Sequence, residues 1–99
     1  MKNFIQIKKK RLIFRHQARE LTQIIHQKIK TKNLEVVNLD FSGVDFISRS
    51  FVDEFLNGLN ELEKKGAKVK FFNLRPVLQK FIVRVKKVKS KIRKTLNQS

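Results

Sequence analysis

Apolar residues recur along the chain with two different periods, which together predict alternating strands and helices. Short or alternating apolar runs predict strands over 3–7, 34–40 and 67–73. The second run, LEVVNLDF, is nearly continuous in apolar residues, as is typical of a central strand covered on both faces. The third, AKVKFFNL, alternates Val69 and Phe71 with Lys68 and Lys70, which indicates a strand nearer the edge of a sheet.

Two segments repeat apolar residues every three or four positions and predict amphipathic helices. In FRHQARELTQIIHQKIK the apolar face consists of Ala18, Leu21, Ile25 and Ile29. No Ser, Thr, Asp or Asn marks the start of this first helix, so its boundary is open. In SFVDEFLNGLNELEKKG the apolar stripe consists of Val52, Phe55, Leu56, Leu59 and Leu62. Gly66 suits the position just after the end of this second helix.

A third, basic helix is predicted over about 77–96, beginning after Pro76 or with it at the first helical position. Its apolar side consists of Leu78, Phe81, Val85, Val88 and Ile92. Its opposite side carries Lys80, Arg84, Lys87, Lys91 and Lys94. The stretch FIVRVKKVK also fits a strand, because β-branched residues favour extended backbone, and that alternative stays open.

The order β-α-β-α-β-α predicts an α/β fold in which helices pack on a small parallel or mixed sheet. The 99 residues contain one proline and no internal repeat, so we expect a single domain over 1–99. The absence of cysteine excludes disulfides and thiolate metal sites. No targeting segment is evident, and no apolar run approaches the roughly 20 residues of a membrane span. We therefore expect a cytoplasmic protein.

The formal net charge of +16 is distributed unevenly along the chain. Residues 1–33 contain ten Lys and Arg and one acid, whereas residues 67–99 contain eleven and no acid. Residues 34–66 reverse the balance, with three Lys and Arg and seven acids. Such a field favours anionic partners: nucleic acid, lipid headgroups or an acidic protein face.

The acid-rich segment DFSGVDFISRSFVDEFL, residues 40–56, contains a turn and a helix start. Its first half is expected to pack back on the core through Val44, Phe46 and Ile47. The tetrapeptide SFVD then fits the S-x-x-D form of a capping box, with Ser50 as the N-cap and Asp53 reaching back. Asp53 and Glu54 also suit the positive end of the helix dipole.

The segment LEVVNLDFSGVDFISRSFVDEFLNGL resembles the central strand–loop–helix of STAS domains, the fold of bacterial anti-sigma-factor antagonists. It is similar in particular to the small STAS-like family of unassigned role. In the antagonists a serine that opens the helix is phosphorylated by a partner kinase, and Ser50 occupies that position. Ser48, Arg49 and Phe51 stand where the antagonists have aspartate, serine and glycine.

This resemblance implies a non-enzymatic, partner-switching type of regulatory module. The implied partner is a regulatory protein, with a histidine-kinase-like ATPase as the candidate. Ser50 is the candidate phosphoacceptor as well as the candidate helix cap, and the two roles are compatible. The candidate partner-binding surface, which is expected to be acidic, consists of Ser48, Arg49, Ser50, Phe51, Asp53 and Glu54.

Catalytic signatures are absent from the sequence, which has no P-loop, GxGxxG, GxSxG or HExxH motif. His16 and His26 do not share a helix face, which indicates surface histidines rather than a metal pair. Asp40, at a strand end, is interpreted as a turn or cap aspartate rather than a metal ligand. We therefore expect no enzymatic activity, no cofactor and no metal site.

The alternative function is nonspecific binding of nucleic acid or another anionic surface by the third helix. Its candidate anion-binding residues are Lys80, Arg84, Lys87, Lys91 and Lys94. The segment KGAKVKFF shares the Lys-Gly start and final Phe of the RNP1 pattern but lacks its internal aromatic residues. Nine Phe with no Tyr or Trp indicate core packing rather than stacking platforms. Self-association through the apolar side of the same helix is a third hypothesis.

Overall fold

The computed structural model describes the backbone of residues 4–97 and the side chains of residues 4–89. The three main strands are β1 (Phe4–Gln6), β3 (Val36–Asp40) and β5 (Lys68–Phe72). Two shorter strands are β2 (Arg11–Leu12) and β4 (Phe46–Ile47). The helices are α1 (Arg15–Lys32), α2 (Arg49–Lys64) and α3 (Pro76–Asn97). The predicted α/β class and the order of its six main elements are confirmed, and β2 and β4 were not predicted.

The main sheet is parallel, with the strand order β1-β3-β5. Leu39 of β3 aligns with Ile5 of β1 and Phe71 of β5, which fixes the register across all three strands. The predictions of a central β3 and an edge β5 are therefore confirmed. The short strands β2 and β4 form a separate parallel pair just before α1 and α2.

All three helices contribute to one core together with one face of the main sheet. Val37 and Leu39 of β3 are fully buried, whereas Val36, on the opposite face of the strand, is 37% exposed. The expectation that β3 is covered on both faces is therefore wrong. The chain crosses from β1 to β3 and then from β3 to β5, so both crossovers advance in the same direction along the sheet. Right-handed crossovers that advance in the same direction place their helices on the same side of the sheet. The other side of the sheet stays open among the described residues.

The segment between β3 and α2 closes one end of the core. Phe41, Val44 and Ile47 are buried, as the sequence predicted for the last two. Phe46 is different from its neighbours, because it is 43% exposed and the Arg11 guanidinium carbon lies 5.2 Å from its ring centroid. The prediction that Phe46 packs on the core is therefore wrong. In the two-residue strand β4, alternation directs Phe46 and Ile47 to opposite sides.

The helix ends follow the local chemistry of their residues. The Oε1 atom of Gln17 accepts hydrogen bonds from the backbone N–H groups of Ile13 and Phe14, at 2.8 and 2.9 Å. Because Phe14, the residue before α1, has no side chain that could cap the helix, Gln17 satisfies these N–H donors instead. Gly66, with φ of 91°, follows the end of α2 as predicted. Pro76 is the first residue of α3, which is helical through FIVRVKKVK, so the strand alternative is wrong. None of the helices described over residues 4–97 combines the length and the apolar character of a membrane-spanning segment.

Candidate functional site

The start of α2 is fixed by Ser48, which is the N-cap of the helix. Its Oγ accepts a hydrogen bond from the backbone N–H of Phe51 at 3.1 Å and donates one to the carbonyl oxygen of Ile13. The backbone N–H of Ser48 also donates to the carbonyl oxygen of Leu12, at 2.8 Å. The two bonds to Ile13 and Leu12 join the first turn of α2 to the segment that leads into α1.

Ser50 therefore does not have the capping role that the sequence predicted for it. It is the second residue of α2 and its side chain is exposed. Asp53 does not reach back to close a capping box, because its carboxylate binds Arg15 and Lys89. The helix begins two residues earlier than the S-x-x-D motif indicates, since Ser48 reaches a long-range acceptor that Ser50 does not.

Replacing Ser48 by alanine should lower the free energy of unfolding by about 1–2 kcal/mol, because the cap is lost and the Ile13 carbonyl loses a donor. Ser50→Ala is the matched control and should change it by less than about 0.5 kcal/mol, as expected of an exposed position. Urea unfolding of both variants measures the difference. A larger loss for Ser50→Ala than for Ser48→Ala would restore Ser50 as the cap.

Two acids in the first half of α2 bind cations from both neighbouring helices. Asp53 Oδ1 lies 2.7 Å from the Lys89 ammonium of α3, and Asp53 Oδ2 lies 3.1 Å from the Arg15 guanidinium of α1. Glu54 lies 3.5 Å from Arg15 and 3.7 Å from Arg19. We call these five residues the α2 ion-pair network. Because three cations surround two carboxylates, the acidic surface predicted from the sequence is neutralised within the molecule.

Lys89 is the most enclosed cation of this network, with its side chain 20% exposed. Its ammonium also donates to the backbone oxygen of Asp53, at 3.2 Å, and to Oδ1 of Asn57, at 2.9 Å. Sequence reasoning missed this residue. The available signal was its spacing, since Lys89 continues the series of Leu78, Ile82 and Val85 on the buried side of α3.

The hydrogen bond from Lys89 is the main reason that the pKa of Asp53 lies below its ordinary value of 3.8; burial opposes this in part, and the hydrogen bond from Arg15 adds a smaller lowering effect. A lowered folded-state pKa stabilises the fold fully above the ordinary value, and this stabilisation is lost as the pH falls through the lower folded value. Asp53→Asn should therefore be less stable than wild type at neutral pH, and the difference should vanish in acid below the folded pKa.

Thermal unfolding of wild type and Asp53→Asn at neutral pH and at a series of acidic pH values checks this prediction. Glu61→Gln is the control, because Glu61 is 67% exposed and, among the side chains of residues 4–89, pairs only with Lys64 of its own helix. Its stability should follow that of wild type closely. A constant difference between Asp53→Asn and wild type at all pH values would show that the effect is not the carboxylate's charge.

The six predicted partner-binding residues differ in accessibility. Arg49 and Ser50 are exposed, whereas Ser48, Asp53 and Glu54 are half-buried and bound to neighbours. Phe51 is 1% exposed and lies in the core. The prediction that Phe51 contacts a partner is therefore wrong, because a side chain with so little surface has none to offer. Arg49 and Ser50 are the accessible part of the predicted set.

The predicted basic stripe of α3 is only partly within the described side chains. Lys80, Arg84 and Lys87 are exposed on this helix. The side chains of Lys91 and Lys94 lie outside the described residues. The predicted apolar side is buried at Leu78 and Val85, half-buried at Phe81 and Val88, and it also includes Ile82. The side chain of Ile92 lies outside the described residues too.

Asp40 and His16, two other polar residues considered from the sequence, make contacts within the fold. Asp40 Oδ1 accepts hydrogen bonds from the Asn73 side-chain amide and the Ser42 backbone N–H, both at 3.0 Å, and these bonds, that from Asn73 most, lower the pKa of Asp40. His16 stacks on Phe14, with 5.4 Å between ring centroids. Among the described residues no three His, Asp or Glu side chains form a group that could hold a metal ion.

A groove of about 520 Å³ runs between α2, α3 and β5. Its lining includes the apolar residues Leu59, Phe71 and Ile82 and the cations Lys86 and Lys89. The described lining contains no serine, histidine or cysteine, so it offers no nucleophile–base pair of the kind that hydrolases use.

The parallel β1-β3-β5 sheet and the segment that leads from β3 into α2 form the strand–loop–helix arrangement of the α/β fold that the sequence predicted. A family model described as STAS domain matches residues 3–99. The chain belongs to the STAS domain family. Comparison with curated proteins and with solved structures gives no match. Membership of the STAS family favours a regulatory, interacting module over an enzyme.

Proposed function

We propose that this STAS domain is a partner-switching regulatory module whose partner contacts the start of α2. The observation that carries the proposal is that Ser48 and Ser50 have different roles at the start of α2. Ser48 caps the helix by accepting a hydrogen bond from the Phe51 N–H and also donates one to the Ile13 carbonyl oxygen, whereas Ser50 is exposed and has no part in the cap. The Ser50 hydroxyl is therefore available for contact or modification without loss of the helix start.

The proposed contact surface has mixed charge rather than the negative charge expected from the sequence. Arg49 is exposed beside Ser50, and Arg15 and Arg19 keep 49% and 60% of their side-chain surface exposed while they bind the acids of α2. A complementary partner therefore presents carboxylates to the arginines. From the family resemblance, the candidate partner is a regulatory protein such as a histidine-kinase-like ATPase.

A phosphate on Ser50 would change this surface in a defined way. Asp53 and Glu54 lie three and four positions after Ser50, so they share its side of α2. The phosphate would repel both carboxylates and compete with them for Arg15, while the N-terminal dipole of the helix would favour it. Phosphorylation would thus add charge and loosen the link between α1 and α2.

Affinity capture with the full-length protein from a lysate of its source tests the contact surface. We expect a regulatory protein retained by wild type to be lost with Arg49→Glu and with Ser50→Asp. Thr31→Asp adds a negative charge at an exposed position near the far end of α1 and should retain it. Incubation of the captured complex with ATP, followed by mass spectrometry, should locate phosphate on Ser50 and none on Ser48. Identical capture by all variants would remove the start of α2 from consideration.

A second candidate function is nonspecific binding of a polyanion by α3, supported by the exposure of Lys80, Arg84 and Lys87. Binding to duplex DNA should then fall steeply with salt. Each phosphate contact removed should reduce the slope of log affinity against log salt by about 0.9. Lys80→Glu combined with Arg84→Glu and Lys87→Glu should show this reduction, and an unchanged slope would eliminate α3 as the binding element.

A further inference from the structure

The open face of the main sheet carries two exposed aromatic rings. Phe4 of β1 and Phe72 of β5 are 42% and 38% exposed. Their ring centroids lie 5.1 Å apart at an interplanar angle of 66°, so the pair spans the central strand in an edge-to-face contact. Such a contact uses one face of one ring and one edge of the other. Considerable ring surface therefore remains accessible on a face that no described helix covers.

This result differs from the sequence-based expectation that the phenylalanines serve only core packing. Four of the nine, Phe4, Phe14, Phe46 and Phe72, are exposed. Phe72 ends the segment KGAKVKFF, in which alternation places Val69 and Phe71 toward the core. The same alternation places Lys68, Lys70 and Phe72 together on the open face.

Lysines flank the ring pair on this face. Lys70 aligns with Phe4 through Asn38 of the central strand, and Lys68 aligns with Val36. Lys8 is exposed and continues the outward alternation of Phe4 and Gln6 beyond the end of β1. The only acid within the three strands is Asp40, whose Oδ1 already accepts bonds from Ser42 and Asn73. The open face therefore carries the two rings, three lysines and one carboxylate, so its net charge is positive.

We propose that this open face binds single-stranded nucleic acid. Bases that are free of a duplex can stack on Phe4 and Phe72, and the lysines can pair with the phosphates between them. Every base has a π-face, so the interaction would tolerate many sequences. The surface lies on the opposite side of the sheet from α2 and α3, so it is separate from both sites of the proposed function.

Charge complementarity favours this occupant over a second copy of the chain. Two open faces packed together would bring Lys8, Lys68 and Lys70 of one copy close to the same residues of the other, on molecules of net charge +16. A polyanion gains from that charge instead. The aromatic pair also distinguishes single strands from duplex, because stacked and paired bases offer no free face to a phenylalanine.

The chain provides its own spectroscopic test, because it contains no Trp and no Tyr. Phe72→Trp introduces a single fluorophore into the proposed surface. Titration with a thymidine oligomer should quench its emission in a saturable manner if bases stack there. Fluorescence anisotropy of a fluorescein-labelled oligomer, used either single-stranded or annealed to its complement, gives the affinity of the protein for each form. Wild type should bind the single strand more tightly than the duplex.

Removing the rings gives the second part of the test. Phe4→Ala combined with Phe72→Ala should weaken single-strand binding about tenfold or more, as loss of stacked aromatic groups does in other proteins. Phe14→Ala removes a phenylalanine that is 57% exposed at the start of α1 and should bind like wild type. If the double alanine variant does not fold, Phe4→Leu with Phe72→Leu keeps apolar side chains but no planar rings, and it should show the same loss.

Several outcomes would overturn the proposal. If the oligomer saturates binding in the anisotropy measurement but does not quench the emission of Phe72→Trp, the bases do not stack on the open face. Equal affinity of the ring-deleted variants and Phe14→Ala, or tighter binding of duplex, would assign binding to charge alone. A dimer in light scattering that the Phe72→Ala change dissolves, with no oligomer binding by wild type, would assign the face to self-association.

Discussion

Phe51→Ala should lower the free energy of unfolding by about 3–5 kcal/mol. Phe51 is 1% exposed, and its ring stacks on Phe55 with 5.3 Å between centroids. Removal of the ring leaves a cavity under the first turn of α2, since the backbone there is held by Ser48 and cannot collapse freely. For a small domain with a stability of about 5–15 kcal/mol, this loss is a large share of the total.

Urea unfolding of Phe51→Ala and Phe14→Ala compares a buried with an exposed phenylalanine near the start of a helix. Phe14 is 57% exposed, so its replacement should cost less than about 1 kcal/mol. Similar losses for both variants would contradict the core position of Phe51. The result also bears on partner binding, because a Phe51 variant that loses a partner has first lost packing.

The order and type of the main elements could be predicted because each depends on local periodicity. Residues at spacings of three and four in α2 are buried, and alternate residues of β5 point to opposite sides. The same rule would have placed Phe51 in the core, since Phe51, Phe55 and Leu59 are spaced by four. Phe51 was assigned to a partner only because it stands at a position that is functional in related domains.

The cap of α2 could not be predicted from local sequence alone. Both Ser48 and Ser50 precede an apolar helical pattern, and the S-x-x-D spacing favours Ser50. What decides in favour of Ser48 is its bond to the carbonyl of Ile13, a residue 35 positions away in the sequence. Side-chain chemistry limits the candidates for a cap, and tertiary contacts choose among them.

The charge of the candidate site was mispredicted for a similar reason. Acids concentrate in the middle third of the sequence and cations in the outer thirds. In space, α1 and α3 lie on either side of α2, so Arg15 and Lys89 reach Asp53 from opposite directions. Residues of opposite charge that are segregated along the chain are thus paired in the fold.

Gly58→Leu should lower the free energy of unfolding by about 3 kcal/mol, because α1 and α2 are in close contact at this glycine. A Cβ atom on Gly58 would lie 2.5 Å from Oγ1, 2.8 Å from Cγ2 and 3.1 Å from Cβ of Thr22. Thr22 cannot turn away freely, since its hydroxyl donates to the Ala18 carbonyl oxygen at 2.8 Å. A larger side chain therefore has to push the helices apart, which disrupts packing along their shared face.

Gly58→Ala separates this steric effect from helix propensity. Alanine should stabilise an isolated helix by about 1 kcal/mol relative to glycine, whereas overpacking costs about 1–3 kcal/mol. We expect a net loss, and we expect Thr22→Ala in the same chain to recover most of it, with a coupling energy of about 1 kcal/mol or more. Gly43→Ala is the control, because its nearest neighbour would be the Ile7 carbonyl oxygen at 3.8 Å. Additive effects of Gly58→Ala and Thr22→Ala in urea unfolding would show that the two helices do not meet at this pair.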